Sequence, residues 1–212
     1  MGMVSLALFC ALGSTALAQA VLGQPAPGFT LNDAEDRSTS LDHYKGKLVV
    51  LEWVNPGCPF VRKHYDSGNM QRLQRTWTGQ GIVWLSVDSS AEGKQGHLTS
   101  EQARQFLAER HAAPTRFLLD PDGAVGRRYG AKTTPHLFIV DQRGTLVYAG
   151  AIDSIPSTDQ ADIPKAVNYV DQALTELSSS RPVSIADTPS YGCSVKYAMS
   201  SGTHSTASGM NK

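Results

Sequence analysis

The amino-acid sequence predicts an α/β sandwich in which helices flank a central mixed β-sheet. Strand-like and helix-like segments alternate along most of the chain, and a closing hairpin and helix follow them. A cysteine that stands four residues after one apolar strand is also followed at once by a proline. The alternation predicts the layers, and the cysteine marks the place where chemistry is expected.

The first half of the predicted sandwich is a strand, a helix and a second strand. The strand at 48–54 is apolar on both faces, which is typical of a central strand covered on both sides. The helix begins at Pro59, where a missing N–H costs nothing, and continues to about Trp77. Residues 82–87 (IVWLSV) form the second buried strand.

The second half adds two helices, a strand, a hairpin and a last helix. Thr99 and Gln102 have capping-box spacing and open a helix through Arg110. A strand at 116–119 and a turn at 120–123 precede a short helix that ends near Gly130. Strands at 136–140 and 145–149 form the hairpin, and an amphipathic helix covers 164–177.

Three segments divide the chain of 212 residues. Residues 1–18 are predicted to be a secretory signal peptide, because 3–18 carry no charge and Ala16-Leu17-Ala18 fits a cleavage pattern. An uncleaved N-terminal anchor is the alternative. Residues 21–178 are predicted to be the α/β domain, and the polar 179–212 is expected to be a flexible extension. We therefore expect a periplasmic or secreted protein that leaves the membrane after cleavage.

Composition excludes two classes of partner. Lys and Arg total 19, as do Asp and Glu, so the formal net charge is zero and no basic block exists. Nothing therefore favours nucleic acid or an anionic membrane surface. The apolar fraction of 41% is enough for a core.

Cys58 is the candidate nucleophile. It stands where the first strand gives way to a helix, and free N–H groups and the helix dipole favour a thiolate there. Arg62, Lys63 and His64 follow and would add positive charge. The alternative is a small buried hydrophobic side chain without a chemical role.

Glu52 lies inside the apolar strand that leads to Cys58. Burial should raise the pKa of such a carboxylate, and a carboxylate so placed could relay a proton from an incoming thiol or peroxide. The alternative is a carboxylate held by neighbouring backbone or tryptophan groups.

Several motifs resemble thioredoxin-fold proteins. The stretch YGAKTTPHLFIV at 129–140 resembles the segment that holds the cis-proline, and APGFTLND with GKLVVLEW resembles the alkyl hydroperoxide reductase/thiol-specific antioxidant branch. The motifs NPGCPFVRKHY and YGCSVKY together resemble the peroxiredoxin-like family with a single active-site cysteine. The resemblance implies a thioredoxin-like sandwich over about 23–197.

The resemblance also implies roles for individual residues. Pro135 would form a cis peptide bond beside Cys58, and Thr134 would contact the substrate. Pro59 and Arg62 are the other expected substrate contacts. The second cysteine of the thioredoxin C-x-x-C is absent, since Val61 stands there, and Asn55 replaces the threonine usual before a peroxidatic cysteine.

The leading functional hypothesis is an exported thiol-dependent oxidoreductase with antioxidant activity. Cys58 would attack a disulfide or a peroxide, and Cys193 could act as the resolving thiol. Cys193 could equally remain free or crosslink two chains. The substrate would be a thiol/disulfide protein or a peroxide, and electrons would come from a thiol donor protein, with no metal, nucleotide or other cofactor.

Two other classes of function remain open from the sequence. A copper-binding thioredoxin-fold module would use Cys58, His64, His136 and Cys193, although no Cys-x₂₋₄-Cys pair is present. A non-catalytic module would bind partners through the cis-proline groove.

Overall fold

A computed structural model describes residues 19–199. The strands within these residues are β1 (Thr30–Asp33), β2 (Ser38–Ser40), β3 (Val49–Trp53), β4 (Val83–Asp88), β5 (Arg116–Leu119), β6 (Thr133–Thr134), β7 (His136–Val140), β8 (Leu146–Gly150) and β9 (Cys193–Ser194). Seven of them form the main sheet in the order β2-β1-β5-β4-β3-β7-β8. A second sheet pairs β6 with β9.

The main sheet is mixed, as the sequence predicts. Strand β4 runs parallel to both β3 and β5, whereas β7 is antiparallel to β3 and to β8. The hairpin of β1 and β2 was not predicted, because its strands are short and polar and carry no run of apolar residues.

In the described part of the chain, five α-helices flank the sheet: α1 (Pro59–Asp66), α2 (Asn69–Thr78), α3 (Ser100–Glu109), α4 (Ala124–Tyr129) and α5 (Tyr169–Ser178). Two corrections to the sequence-based prediction follow. The expected helix at 59–77 is broken at Gly68, which has a left-handed φ of 75° and starts a new helix. The expected helix at 164–177 is a 3₁₀ turn at Gln160–Lys165 followed by α5.

Alternation along β7 divides the core into two layers. Leu137 and Ile139 face the layer that contains Cys58, with α1, α2, α3 and α5. Phe138 and Val140 face the other layer, with α4 and the N-terminal hairpin. The sheet therefore fixes which side chains can reach Cys58.

The C-terminal segment follows a defined path across the domain, in contrast to the flexible extension that its composition predicts. Asp187 bridges to Ala149, and β9 pairs with β6. The Lys196 carbonyl oxygen accepts a hydrogen bond from Ala91 N. Specific backbone pairing therefore orders a segment with few apolar side chains, and composition alone does not reveal such pairing.

The predicted signal peptide at 1–18 and the end of the extension at 200–212 lie outside the described residues. Within 19–199, no helix is long and apolar enough to cross a membrane.

Candidate active site

Cys58 occupies the N-cap position of α1. Its backbone is extended (φ −79°, ψ 124°), and Pro59 fills the first helical position. The turn before it is held by Asn55, whose carbonyl oxygen accepts from Cys58 N and whose Oδ1 accepts from Gly57 N. The sulfur therefore lies at the start of a helix, as the sequence predicts, and the residue is 0% exposed.

The peptide bond between Thr134 and Pro135 is cis. It lies next to Cys58, because the Cys58 thiol donates to the Thr134 carbonyl oxygen over 3.0 Å. This bond requires a protonated sulfur and is lost when Cys58 ionises. The proximity of residues 134 and 135 to the sulfur agrees with the expectation from the resemblance.

Cys193 reaches the same place from the C-terminal segment. In the β6–β9 pair it lies directly opposite Thr134. The preceding Gly192 has a φ of +127°, and a Cβ atom there would lie 2.1 Å from the Thr134 carbonyl oxygen. Glycine is therefore required for the backbone to approach the cis peptide this closely. Both described cysteines are free thiols.

The two thiols influence each other's ionisation. Burial opposes ionisation of Cys58, but hydrogen bonds from the Cys193 side chain and the Val61 backbone N–H outweigh it and lower the pKa of Cys58. Burial and the same pairing with Cys58 raise the pKa of Cys193 to about 11. As pH rises, Cys58 therefore ionises first, while Cys193 keeps its proton and donates it.

The cations expected to favour the Cys58 thiolate point elsewhere. Arg62 is largely exposed, and its Nε lies 3.7 Å from an Asp66 carboxylate oxygen. Lys63 and His64 both face Asp153, at 3.6 and 3.7 Å. Hydrogen bonds, rather than neighbouring positive charges, therefore account for the lowered pKa of Cys58.

Glu52 is fully buried, and its carboxylate accepts four side-chain hydrogen bonds. Their donors are Tyr65 at 2.8 Å, Gln74 at 3.1 Å, Trp84 at 2.7 Å and Ser86 at 2.9 Å. Burial raises the pKa of Glu52 despite these bonds. None of the four donors is Cys58. The arrangement therefore fits the alternative of a carboxylate held by its neighbours.

The four residues considered as copper ligands are not brought together. His64 Nδ1 contacts Asn69, and His136 lies on the opposite face of the sheet, where its Nδ1 accepts from Lys132 N. Across residues 19–199, no group of three or more His, Cys, Asp and Glu side chains is arranged to hold a metal ion.

Sequence reasoning missed the contacts that fix Cys193. The Tyr191 hydroxyl donates to Asp153, and Tyr197 on the other side of Cys193 donates to the Ala131 carbonyl oxygen. The YGCSVKY motif contains both tyrosines, so the sequence indicated the two donors of these contacts. Nothing in the sequence around Asp153 indicated that this residue accepts the hydrogen bond from Tyr191.

The AhpC/TSA family pattern matches residues 22–149, which include Cys58, Thr134 and Pro135. The chain belongs to the AhpC/TSA family. The matched region ends before Cys193, so the C-terminal segment lies outside the part that defines the family.

Individual relatives are distant. ResA of Geobacillus thermodenitrificans, named a thiol-disulfide oxidoreductase, is 28% identical over 68% of this chain and 80% of its own. A protein of Arabidopsis thaliana named "Probable glutathione peroxidase 5" is 26% identical over 50% of this chain and 82% of its own.

Among solved structures, an uncharacterized conserved protein of Geobacillus kaustophilus is 26% identical, with a TM-score of 0.72 over 85% of this chain and 94% of its own. Structures of thioredoxin-fold proteins share the architecture, which confirms the predicted fold class.

Proposed function

We propose that the protein is an exported thiol-dependent oxidoreductase in which Cys58 is the nucleophile and Cys193 the resolving thiol. The observation that supports this most directly is the position of Cys193 opposite Thr134, whose carbonyl oxygen contacts the Cys58 sulfur. A second thiol at that position can replace the missing cysteine of the C-x-x-C motif, because Val61 stands in its place.

The proposed cycle balances in three steps. The Cys58 thiolate attacks one oxygen of a hydroperoxide, the O–O bond breaks, and the sulfenic acid of Cys58 and an alcohol or water form. The Cys193 thiol then attacks the oxidised sulfur, which gives a disulfide and releases water. Two thiols of a donor protein reduce that disulfide by exchange and become a disulfide themselves.

A small oxidant fits the reduced enzyme better than a protein disulfide. Strand β9 occupies the edge of β6 beside the cis-proline, where an extended protein segment would otherwise add as a strand. The Cys58 residue is also 0% exposed. A protein substrate would therefore have to displace Cys193 and Ser194 first, whereas a peroxide needs only an opening wide enough for a small molecule.

Thiol-disulfide exchange is the second candidate. It is favoured by the similarity to ResA. In that case Cys58 attacks a substrate disulfide, and Cys193 releases the resulting mixed disulfide.

Thr134 and Pro135 are the proposed substrate contacts, together with Pro59 at the helix start. Arg62 is left out of this set because its side chain is paired with Asp66 on the exposed side of α1. Export is proposed from the uncharged apolar segment at 3–18.

Mass spectrometry after mild peroxide treatment tests the proposal. We expect a Cys58–Cys193 disulfide in the native chain, a Cys58 sulfenic acid in the Cys193→Ser variant, and no oxidation of the remaining thiol in Cys58→Ser under the same conditions. Unreacted thiols in the native chain would argue for a non-catalytic binding module. A copper titration with the Cys58→Ser control tests the metal-binding alternative.

A further inference from the structure

The residue two positions before Cys193 is tied to the helix that carries Cys58. The Tyr191 hydroxyl donates to Asp153 Oδ1 over 2.5 Å. The other oxygen of Asp153 lies 3.6 Å from Nζ of Lys63, which belongs to α1. A continuous set of polar contacts therefore joins α1 to the C-terminal segment.

The contact between Lys63 and Asp153 is shielded from water. The Lys63 side chain is 0% exposed and that of Asp153 is 3% exposed. Lys63 also donates to the Ile155 carbonyl oxygen over 3.3 Å. Burial lowers the pKa of the adjacent His64 to about 4, so that ring is neutral. Buried charges without water must keep their partners, so Asp153 has little freedom to move.

The tyrosine ring is fixed as well as its hydroxyl. It packs edge-on against Phe60 in the first turn of α1, with ring centroids 5.8 Å apart. Immediately after it, Gly192 passes against the Thr134 carbonyl at a distance that a Cβ atom would prevent. The contacts of Tyr191 thus fix the direction in which the C-terminal segment runs. The close approach of Gly192 fixes how near that segment lies to the Thr134 carbonyl group.

We propose that Tyr191 and Gly192 are positioning residues that hold the Cys193 thiol against the Cys58 sulfur, with the buried Lys63–Asp153 pair as the anchor. The inference rests on the proposed resolving role of Cys193 and extends it. In this inference, the Tyr-Gly-Cys sequence gives the Cys193 thiol a high effective concentration at the Cys58 sulfur.

The test measures that effective concentration from the redox equilibrium of the Cys58–Cys193 pair with glutathione. Tyr191→Phe keeps the ring contact with Phe60 and removes only the hydroxyl. We expect its effective concentration to fall about tenfold, the size expected for loss of a hydrogen bond to a charged group. Tyr129→Phe is the matched control, since that buried hydroxyl donates to the Pro27 carbonyl oxygen in the other core layer.

A second readout separates positioning from a general loosening of α1. Tyr191→Phe should move the midpoint of the pH profile of Cys58 alkylation to higher pH, because the Cys193 donor moves away. In a Cys193→Ala background the same substitution should leave the pH profile of Cys58 alkylation unchanged. A shift of equal size in both backgrounds would mean that Tyr191 acts on the helix and not through Cys193.

Gly192→Ala tests the same positioning role independently, and it replaces Tyr191→Phe if that variant does not fold. It should lower the effective concentration at least as much, because the added methyl group displaces the segment. A native chain that forms the disulfide, with effective concentrations unchanged in these variants, overturns the positioning role and leaves the proposed function standing. A native chain that never forms the disulfide overturns both.

Discussion

Cys193 lies opposite Thr134 in a two-stranded antiparallel pair, and the carbonyl oxygen of Thr134 lies 3.0 Å from the Cys58 sulfur. Residue 134 therefore neighbours both cysteines, although they stand far apart in the sequence. The consequences of this arrangement can be measured on the reduced protein without knowledge of the physiological substrate.

The pH dependence of alkylation is the first prediction. The pKa of Cys58 is below its ordinary value of 9.0, and that of Cys193 is about 11. Because the thiolate is the reactive form, Cys58 should react with iodoacetamide at a midpoint below pH 9, while Cys193 should stay unmodified until the pH approaches 11. Peptide mass spectrometry over a pH series measures both midpoints.

Removal of Cys193 tests the source of this difference. In Cys193→Ala the Cys58 thiolate loses its side-chain donor, so its pKa should rise and the midpoint of its alkylation profile should move up by about one pH unit. Circular dichroism checks that the fold is kept. An unchanged alkylation profile would show that the helix start alone sustains the thiolate.

Arg62→Ala is predicted to leave the reactivity of Cys58 almost unchanged. The guanidinium is paired with Asp66 and is mostly in water, so its field at the sulfur is screened. We expect alkylation rates within about twofold of the native chain. A slowing of tenfold or more would restore the sequence-based hypothesis that this cation favours the thiolate.

Glu52→Gln separates the two roles considered for that carboxylate. The glutamine amide would present donors to groups that now donate to Glu52, so the free energy of unfolding should fall by about 1–3 kcal/mol. Chemical denaturation measures this loss. If the role is structural, turnover with a peroxide at saturating donor should stay within about twofold once folding is confirmed; a much larger loss of turnover would indicate proton relay.

Asp88 should make stability depend on pH. Burial raises the pKa of Asp88 from 3.8 to about 6, although Ser90 N and Leu98 N donate to its oxygens. The folded state therefore binds this proton more tightly than the unfolded state does, and stability should fall as pH rises from about 4 to 6. In Asp88→Asn the decrease in the free energy of unfolding over this pH range should be smaller by about 3 kcal/mol. Urea denaturation of both proteins at several pH values measures the difference.

Much of the fold was predictable because its signals are local. The strand that leads to Cys58 is apolar throughout, and Pro59 marks the helix start, so the position of the sulfur followed from adjacent residues. The cis peptide before Pro135 was predicted from its resemblance to thioredoxin-fold proteins. These features depend on short stretches of sequence.

The remaining features depend on contacts between distant parts of the chain. Cations at 62–64 suggested an ionised sulfur by their closeness in sequence, yet the helix turns Lys63 and His64 toward Asp153. The path of the C-terminal segment was missed for the same reason, since polar residues paired through their backbone look like a disordered tail. Sequence spacing indicates proximity only within one element.

The strand that covers the reactive sulfur belongs to the same polypeptide as that sulfur. Its encounter with Cys58 is unimolecular, so the cover remains in place however far the protein is diluted. A separate inhibitor or partner would dissociate under those conditions. The proposed export into a large volume would therefore leave this cover in place without any other molecule.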